Sequence, residues 1–157
     1  DTHANQQNTM NHNLQDILGT EGGLETVSTQ LENFIPGAND NLVYFLSWDF
    51  GRQLAANGTV GTDHGTGNYS VVIGNAVSGG VYGDMFPEHE ALPDPVDSVG
   101  RTPFEIHGRD IDGLTSIERV YARLCDWAAP GTGPVVFPNA ASSILESGVD
   151  LTNLLVA

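Results

Sequence analysis

Hydrophobic residues recur at helical spacing over the first quarter of the chain. Leu14, Ile17 and Leu18 predict a helix from Asn8 to Leu18, interrupted by Gly19-Thr20-Glu21-Gly22-Gly23. Leu24, Val27, Leu31 and Phe34 fall at i, i+3, i+7 and i+10 and predict a second helix from Leu24 to Phe34, stopped by Pro36-Gly37. The period then changes. Leu42 to Leu46 is an unbroken apolar run between polar turns, the pattern of a strand buried on both faces of a parallel sheet. A short strand is expected at Tyr69–Ile73. Thr115-Ser116-Ile117-Glu118 reads as a capping box, the Thr hydroxyl taking a backbone N–H while Glu118 reaches back. The helix it opens carries Ile117, Val120, Tyr121, Leu124 and Ala128 on its apolar side, runs to about Trp127 and closes at Pro130-Gly131. Phe137-Pro138-Asn139 then opens a loop tail that ends in the apolar stretch Leu151–Val156.

Helix, buried strand, glycine-rich loop, strand and helix read together as α/β. Glycines cluster between Gly58 and Gly83, marking a loop-rich functional region, and residues 85–113 read as an irregular surface excursion. In such folds ligands gather at the C-terminal ends of strands, where Asp49 and Asp63-His64 fall. No linker or repeat divides the chain, so residues 1–157 are expected to form one segment. The opening DTHANQQN resembles a functional loop and lacks a leader, so this segment is expected to be the C-terminal piece of a larger domain.

Charge narrows the choice of partner. The chain has 20 acidic residues against 5 basic ones, a net charge of -15, and every basic residue is an arginine (Arg52, Arg101, Arg109, Arg119, Arg123). That balance excludes a nucleic-acid footprint and opposes an anionic membrane surface. It fits an acidic, solvated exterior of a salt-adapted or extracellular protein, with some carboxylates free to bind hard cations. The one cysteine, Cys125, excludes an internal disulfide and sits among apolar helix positions as a core thiol rather than a nucleophile. No run of 18 apolar residues is present, so no membrane span is expected.

The candidate chemistry centres on Gly61-Thr62-Asp63-His64-Gly65-Thr66-Gly67. A carboxylate beside an imidazole offers donors suited to a divalent cation, and the flanking glycines would let both side chains face one point. The same pair could equally tie a loop by an Asp–His hydrogen bond. Asp1 and His3, spaced to share one side of an extended segment, are either two further metal ligands or a turn leading into the first helix. Arg52, just past the apolar strand, either grips an anionic ester or pairs with Asp49. His12 reads as a packing or capping residue, and His89 and His107 as surface histidines or a distant third ligand. No Gly-x-Ser-x-Gly elbow is present. The sequons at Asn57-Gly-Thr and Asn68-Tyr-Ser carry meaning only where the source glycosylates.

Four stretches in order, DTHANQ before a helix, DFGR after an apolar strand, GTDHGTGN and GNAVSGGVYG, resemble the secreted bacterial family called domain of unknown function 1501. Asp126-Trp127 followed by Phe137-Pro138-Asn139 is similar to that family's C-terminal end. The resemblance implies an alkaline-phosphatase-like fold: a mainly parallel sheet with helices on both faces, of which this chain would supply the C-terminal portion. It implies a secreted or periplasmic metal-dependent hydrolase of phosphate or sulfate esters. The metal would be zinc, manganese, calcium or magnesium, held by Asp1, His3, Asp63 and His64. The spacing Asp-x-His departs from the superfamily's Asp-x-x-x-His, since Asn5 occupies the i+4 position, and Asn68 stands where some relatives carry a further histidine. The superfamily's nucleophile belongs to an N-terminal part that this chain lacks, so the missing half or another chain is the expected partner. The alternative is a non-catalytic extracellular surface, matrix or polysaccharide-binding protein that keeps the fold.

Overall fold

The computed structural model describes residues 4–65, 67–83, 113–140 and 149–156. Helices α1 (Gln6–Leu18) and α2 (Gly23–Phe34) come first, followed by a 3-10 turn (Ala38–Asn41). Four strands follow: β1 (Tyr44–Leu46), β2 (Gly51–Ala56), β3 (Thr62–Gly65) and β4 (Val71–Ile73). Helix α3 (Ile117–Ala128) and the short α4 (Gly133–Val136) complete the order. The three long helices lie within a residue or two of where the apolar spacing predicts them. The excursion expected over 85–113 lies outside the described residues except for Gly113.

The class is mixed α/β, with small antiparallel sheets. β1 pairs with β4 (Tyr44↔Ile73, Phe45↔Val72, Leu46↔Val71), and β2 pairs with β3. Both described pairings are antiparallel, so the mainly parallel sheet expected from Leu42–Leu46 is not among them. The connection explains why. β1 and β4 are joined through the β2–β3 ribbon, without the helical crossover that a parallel pair requires. β1 is also only half-buried rather than covered completely on both faces. Its successive residues still point to opposite sides. Tyr44 Oη donates to the Leu24 carbonyl of α2 at 3.4 Å, while Phe45 meets Tyr121 of α3 edge-on, with ring centroids 5.2 Å apart.

The apolar centre forms around the C-terminal segment. Leu151, Leu154 and Leu155 are buried together, with Val43, Val72, Val77, Val120, Leu124 and Trp127 packed against them. Backbone bonds from Ser78 N to Leu154 O (2.9 Å) and from Val156 N to Ala76 O (2.8 Å) join this segment to the loop after β4. Arg123 of α3 clamps it from the other side, donating to the carbonyls of Leu151, Thr152 and Leu155. A stretch expected as an apolar loop tail is therefore the middle of the packing.

The expected capping box does not form. The N-cap of α3 is Ser116, without a side-chain cap bond, and Thr115 Oγ1 instead accepts from Arg119 Nη1 at 3.1 Å. The motif is one residue out of register: counted from Ser116, the third helical position is Arg119, a donor, rather than Glu118. Cys125 is half-buried and reduced on the same helix.

Candidate functional site

The first part of the glycine-rich stretch, as far as Gly65, belongs to a β-ribbon, while residues 67–70 and 74–83 are largely loop as expected. β2 and β3 run antiparallel with Gly51 opposite Gly65, Arg52 opposite His64 and Ala56 opposite Thr62, and the register shifts between Arg52 and Ala56. Asn57 builds the turn. Its Oδ1 accepts from Thr59 N (2.9 Å), Thr59 Oγ1 (2.8 Å) and Gly61 N (3.1 Å), and its Nδ2 donates to Asp63 Oδ1 at 3.1 Å. Val60 sits in the turn with φ 59, a left-handed value that a β-branched residue tolerates poorly. The tip of the ribbon holds the start of α1: Asn5 N donates to Thr59 O and Gln6 N to Val60 O, each at 3.0 Å. At the base, Gly51 lies so close to the Gly67 carbonyl that no Cβ fits between them. The glycines of the DFGR and GTDHGTGN stretches thus let two backbones touch.

Strand geometry decides where the candidate ligands point. Asp63 and His64 are successive residues of β3, so their side chains leave on opposite faces of the ribbon. His64 stacks on Phe50, with ring centroids 3.8 Å apart and planes 23° apart. The Arg52 guanidinium lies 5.3 Å from the centre of the same ring, and its Nη1 donates to the Thr62 carbonyl at 3.0 Å. Phe50, Arg52 and His64 therefore share one face, and Asp63, bound to Asn57, lies on the other. The flanking glycines do not turn the backbone to aim Asp63 and His64 at one point, because Gly61 precedes the strand and Gly65 ends it.

This geometry bears on a metal. Carboxylate and imidazole are suitable donor types for a divalent cation. In this strand, however, the two side chains leave on opposite faces, so the β3 backbone does not by itself aim them at one ion. Among the described residues no three His, Cys, Asp or Glu side chains come together. Asp1, His3, His89 and His107 lie outside the described residues. His12 pairs with Asp16 one turn along α1, with 3.4 Å between Nε2 and Oδ2. Of the five candidate residues, the structure brings together Arg52 and His64 and sets Asp63 apart from them.

Two residues of the site were not singled out in sequence. Phe50, which supports His64 and Arg52, carried no signal beyond being aromatic. Asn57 carried one, since Asn-Gly between two short extended runs is a strong hairpin indicator. A wide groove of about 1160 Å³ opens beside the base of the ribbon, with Trp48, Asp49, Asn68, Tyr69, Val81 and Tyr121 in its lining. Asn68 Nδ2 fixes its rim by donating to the Trp48 carbonyl at 3.0 Å.

The family model described as Protein of unknown function (DUF1501) matches residues 1–94, more than half of the 157-residue chain. The chain belongs to the DUF1501 family. The matched span contains Asp1, His3, Arg52, Asp63 and His64, and with them the whole β2–β3 ribbon. No curated protein and no solved structure matches the chain. For this DUF1501 chain, the chemistry has to be argued from the ribbon itself.

Proposed function

We propose that the chain is part of an extracytoplasmic hydrolase of phosphate or sulfate esters. The domain would have the alkaline-phosphatase-like, mainly parallel fold, completed by a further segment or chain. The observation that carries the reading is the register pair Arg52↔His64 on one face of the ribbon, over Phe50. A permanently charged, planar guanidinium suits an oxyanion with several acceptor oxygens. An imidazole beside it can hold or deliver a proton at the leaving oxygen. Phe50 lies against both side chains, stacked on the His64 ring and with its ring centre 5.3 Å from the Arg52 guanidinium. A divalent cation (zinc, manganese, calcium or magnesium) belongs to the proposal through the donor types of Asp1, His3, Asp63 and His64. Asp63 and His64 leave β3 on opposite faces, so the roles assigned here are those of Arg52 and His64 alone.

The test uses the full-length protein with aryl phosphate and aryl sulfate, each divalent metal in turn, and metal analysis of the purified material. Arg52→Ala should raise KM at least tenfold, as loss of a charge-assisted contact of roughly 1.5–3 kcal/mol implies. His64→Ala should lower kcat, and Asp63→Ala should lower bound metal. Unchanged turnover in both the Arg52 and His64 variants would sink the reading.

One observation favours the alternative, a non-catalytic extracellular surface, matrix or polysaccharide-binding protein. The groove beside the ribbon carries Trp48 and Tyr69 with Asp49 and Asn68. Aromatic rings beside a carboxylate and an amide suit the apolar and hydroxyl faces of a sugar. That reading expects retardation of the full-length protein on a polysaccharide gel, relieved by Trp48→Ala, with no hydrolysis under any metal.

A further inference from the structure

Of the asparagines in the chain, only Asn57 is followed by glycine. Glycine puts no Cβ in the way of its own nitrogen reaching the asparagine side-chain carbon. The ribbon tip arranges the groups such an attack needs. Three donors converge on Asn57 Oδ1: Thr59 N at 2.9 Å, Thr59 Oγ1 at 2.8 Å and Gly61 N at 3.1 Å. They draw electrons from the side-chain carbonyl and are in place to hold the negative oxygen of a tetrahedral intermediate. The bond to Thr59 N also folds that carbonyl back over the backbone it belongs to, where Gly58 is the next residue. Asn57 Nδ2 donates to Asp63 Oδ1 at 3.1 Å, so a carboxylate lies beside the nitrogen that must gain a proton to leave. Gly58 is exposed, and its N–H donates to no described residue.

We propose that Asn57 is a self-modifying site, at which the folded ribbon tip drives loss of the side-chain amide. The Gly58 nitrogen forms a bond to Asn57 Cγ and gives up its proton to solvent. The Cγ–Nδ2 bond then breaks, and Nδ2 takes a proton and leaves as ammonia, which closes a cyclic succinimide. One water reopens the ring at either carbonyl and returns a hydrogen to the Gly58 nitrogen, giving aspartate or isoaspartate. No oxidant or reductant is consumed. Either product removes the amide that donates to Asp63 and brings a second carboxylate to the turn. Isoaspartate also lengthens the main chain in a turn where Val60 is held at φ 59, and so shifts the Thr59 and Val60 carbonyls that fix the start of α1. The site is independent of any hydrolytic role of the ribbon.

The test holds the full-length protein at mildly alkaline pH, folded and in urea, and follows residue 57 by peptide mapping together with ammonia release. The folded chain should convert Asn57 to aspartate and isoaspartate faster than the urea-unfolded chain. Thr59→Val removes one donor and keeps the backbone N–H. It should slow conversion about fivefold in the folded chain, the worth of one neutral hydrogen bond, and leave the rate in urea unchanged. Gly58→Ala should slow conversion in both states. A Cβ at that position meets nothing within 4 Å, so its far-UV CD spectrum should match that of the native chain. An amide that survives in the folded chain and is lost in urea would mean the network protects Asn57, and would overturn the proposal. So would a folded rate that Thr59→Val leaves unchanged.

Discussion

Asn57 joins the turn of the ribbon to its candidate ligand, because one side-chain oxygen serves three donors while the amide nitrogen holds Asp63. Asn57→Ala removes all four contacts and should lower unfolding free energy by about 1–3 kcal/mol in urea titration, as loss of a multiply used acceptor does. Asn57→Asp separates the two halves of that role. It retains the acceptor but sets a second carboxylate against Asp63, so its deficit should shrink as pH falls and the carboxylates protonate. A deficit independent of pH would show that the Asp63 contact contributes nothing. Asp150 makes a second pH-dependent case at this scale. Thr152, bonding to the carboxyl through its side chain and its backbone N–H, holds the Asp150 pKa below the ordinary value, helped by the charge of Arg119 and opposed by slight desolvation. A carboxyl depressed in the folded state contributes stability that is present above its unfolded pKa of about 3.9 and lost as pH falls through the folded value. Asp150→Asn should therefore be less stable than the native chain at neutral pH, with the difference closing in the acid limb of a pH-dependent thermal melt.

Among the elements, α3 and the C-terminal segment depend on each other through Arg123, whose guanidinium reaches three carbonyls that no shorter or single-headed donor reaches together. Arg123→Lys should destabilise by about 1–3 kcal/mol. It should also speed hydrogen exchange at Ser78 and Val156, whose N–H groups bond across the same junction. Exchange accelerated uniformly over the chain would place the loss elsewhere. This junction also marks the limit of what the sequence made legible. The long helices were readable because each repeats a period over ten or more residues, while strands of three to six residues offer too few positions to fix a period or a partner. The ribbon was hidden by its glycines, which read as a loop but serve the approach of Gly51 to Gly67. At the site, residue types were legible and directions were not. Whether Asp63 and His64 converge depends on the backbone being loop or strand, a distinction that neighbouring residues in one sequence do not encode. Arg52 meets His64 only through strand register, which is set by the turn at Asn57.

For the whole molecule, the balance of charge against core predicts an unusual response to salt. Among the described residues the buried apolar side chains are Ala76, Ala140, Leu151, Leu154 and Leu155, a small centre for a chain with a net charge of -15. Like charges held close in the compact state repel, and their range is the Debye length, about 30 Å at 0.01 M ionic strength and about 8 Å at 0.15 M. Raising NaCl across that interval should therefore raise the melting temperature. At this chain length each kcal/mol recovered corresponds to roughly 2–4 °C. Screening does not distinguish sodium from potassium, so the two chlorides should give the same curve. A divalent cation makes the experiment discriminating. If magnesium, calcium, manganese or zinc acts only by screening, its effect will match NaCl at equal ionic strength, and Asp63→Ala will not alter it. If the cation is bound, stabilisation will saturate at a concentration set by its Kd, following RT ln(1 + [L]/Kd), and the surplus over screening will vanish in Asp63→Ala. Because Asp63 and His64 leave β3 on opposite faces, a surplus lost in Asp63→Ala but retained in His64→Ala would match the strand as observed. A surplus lost equally in both would mean that the ribbon opens at His64 when the cation binds.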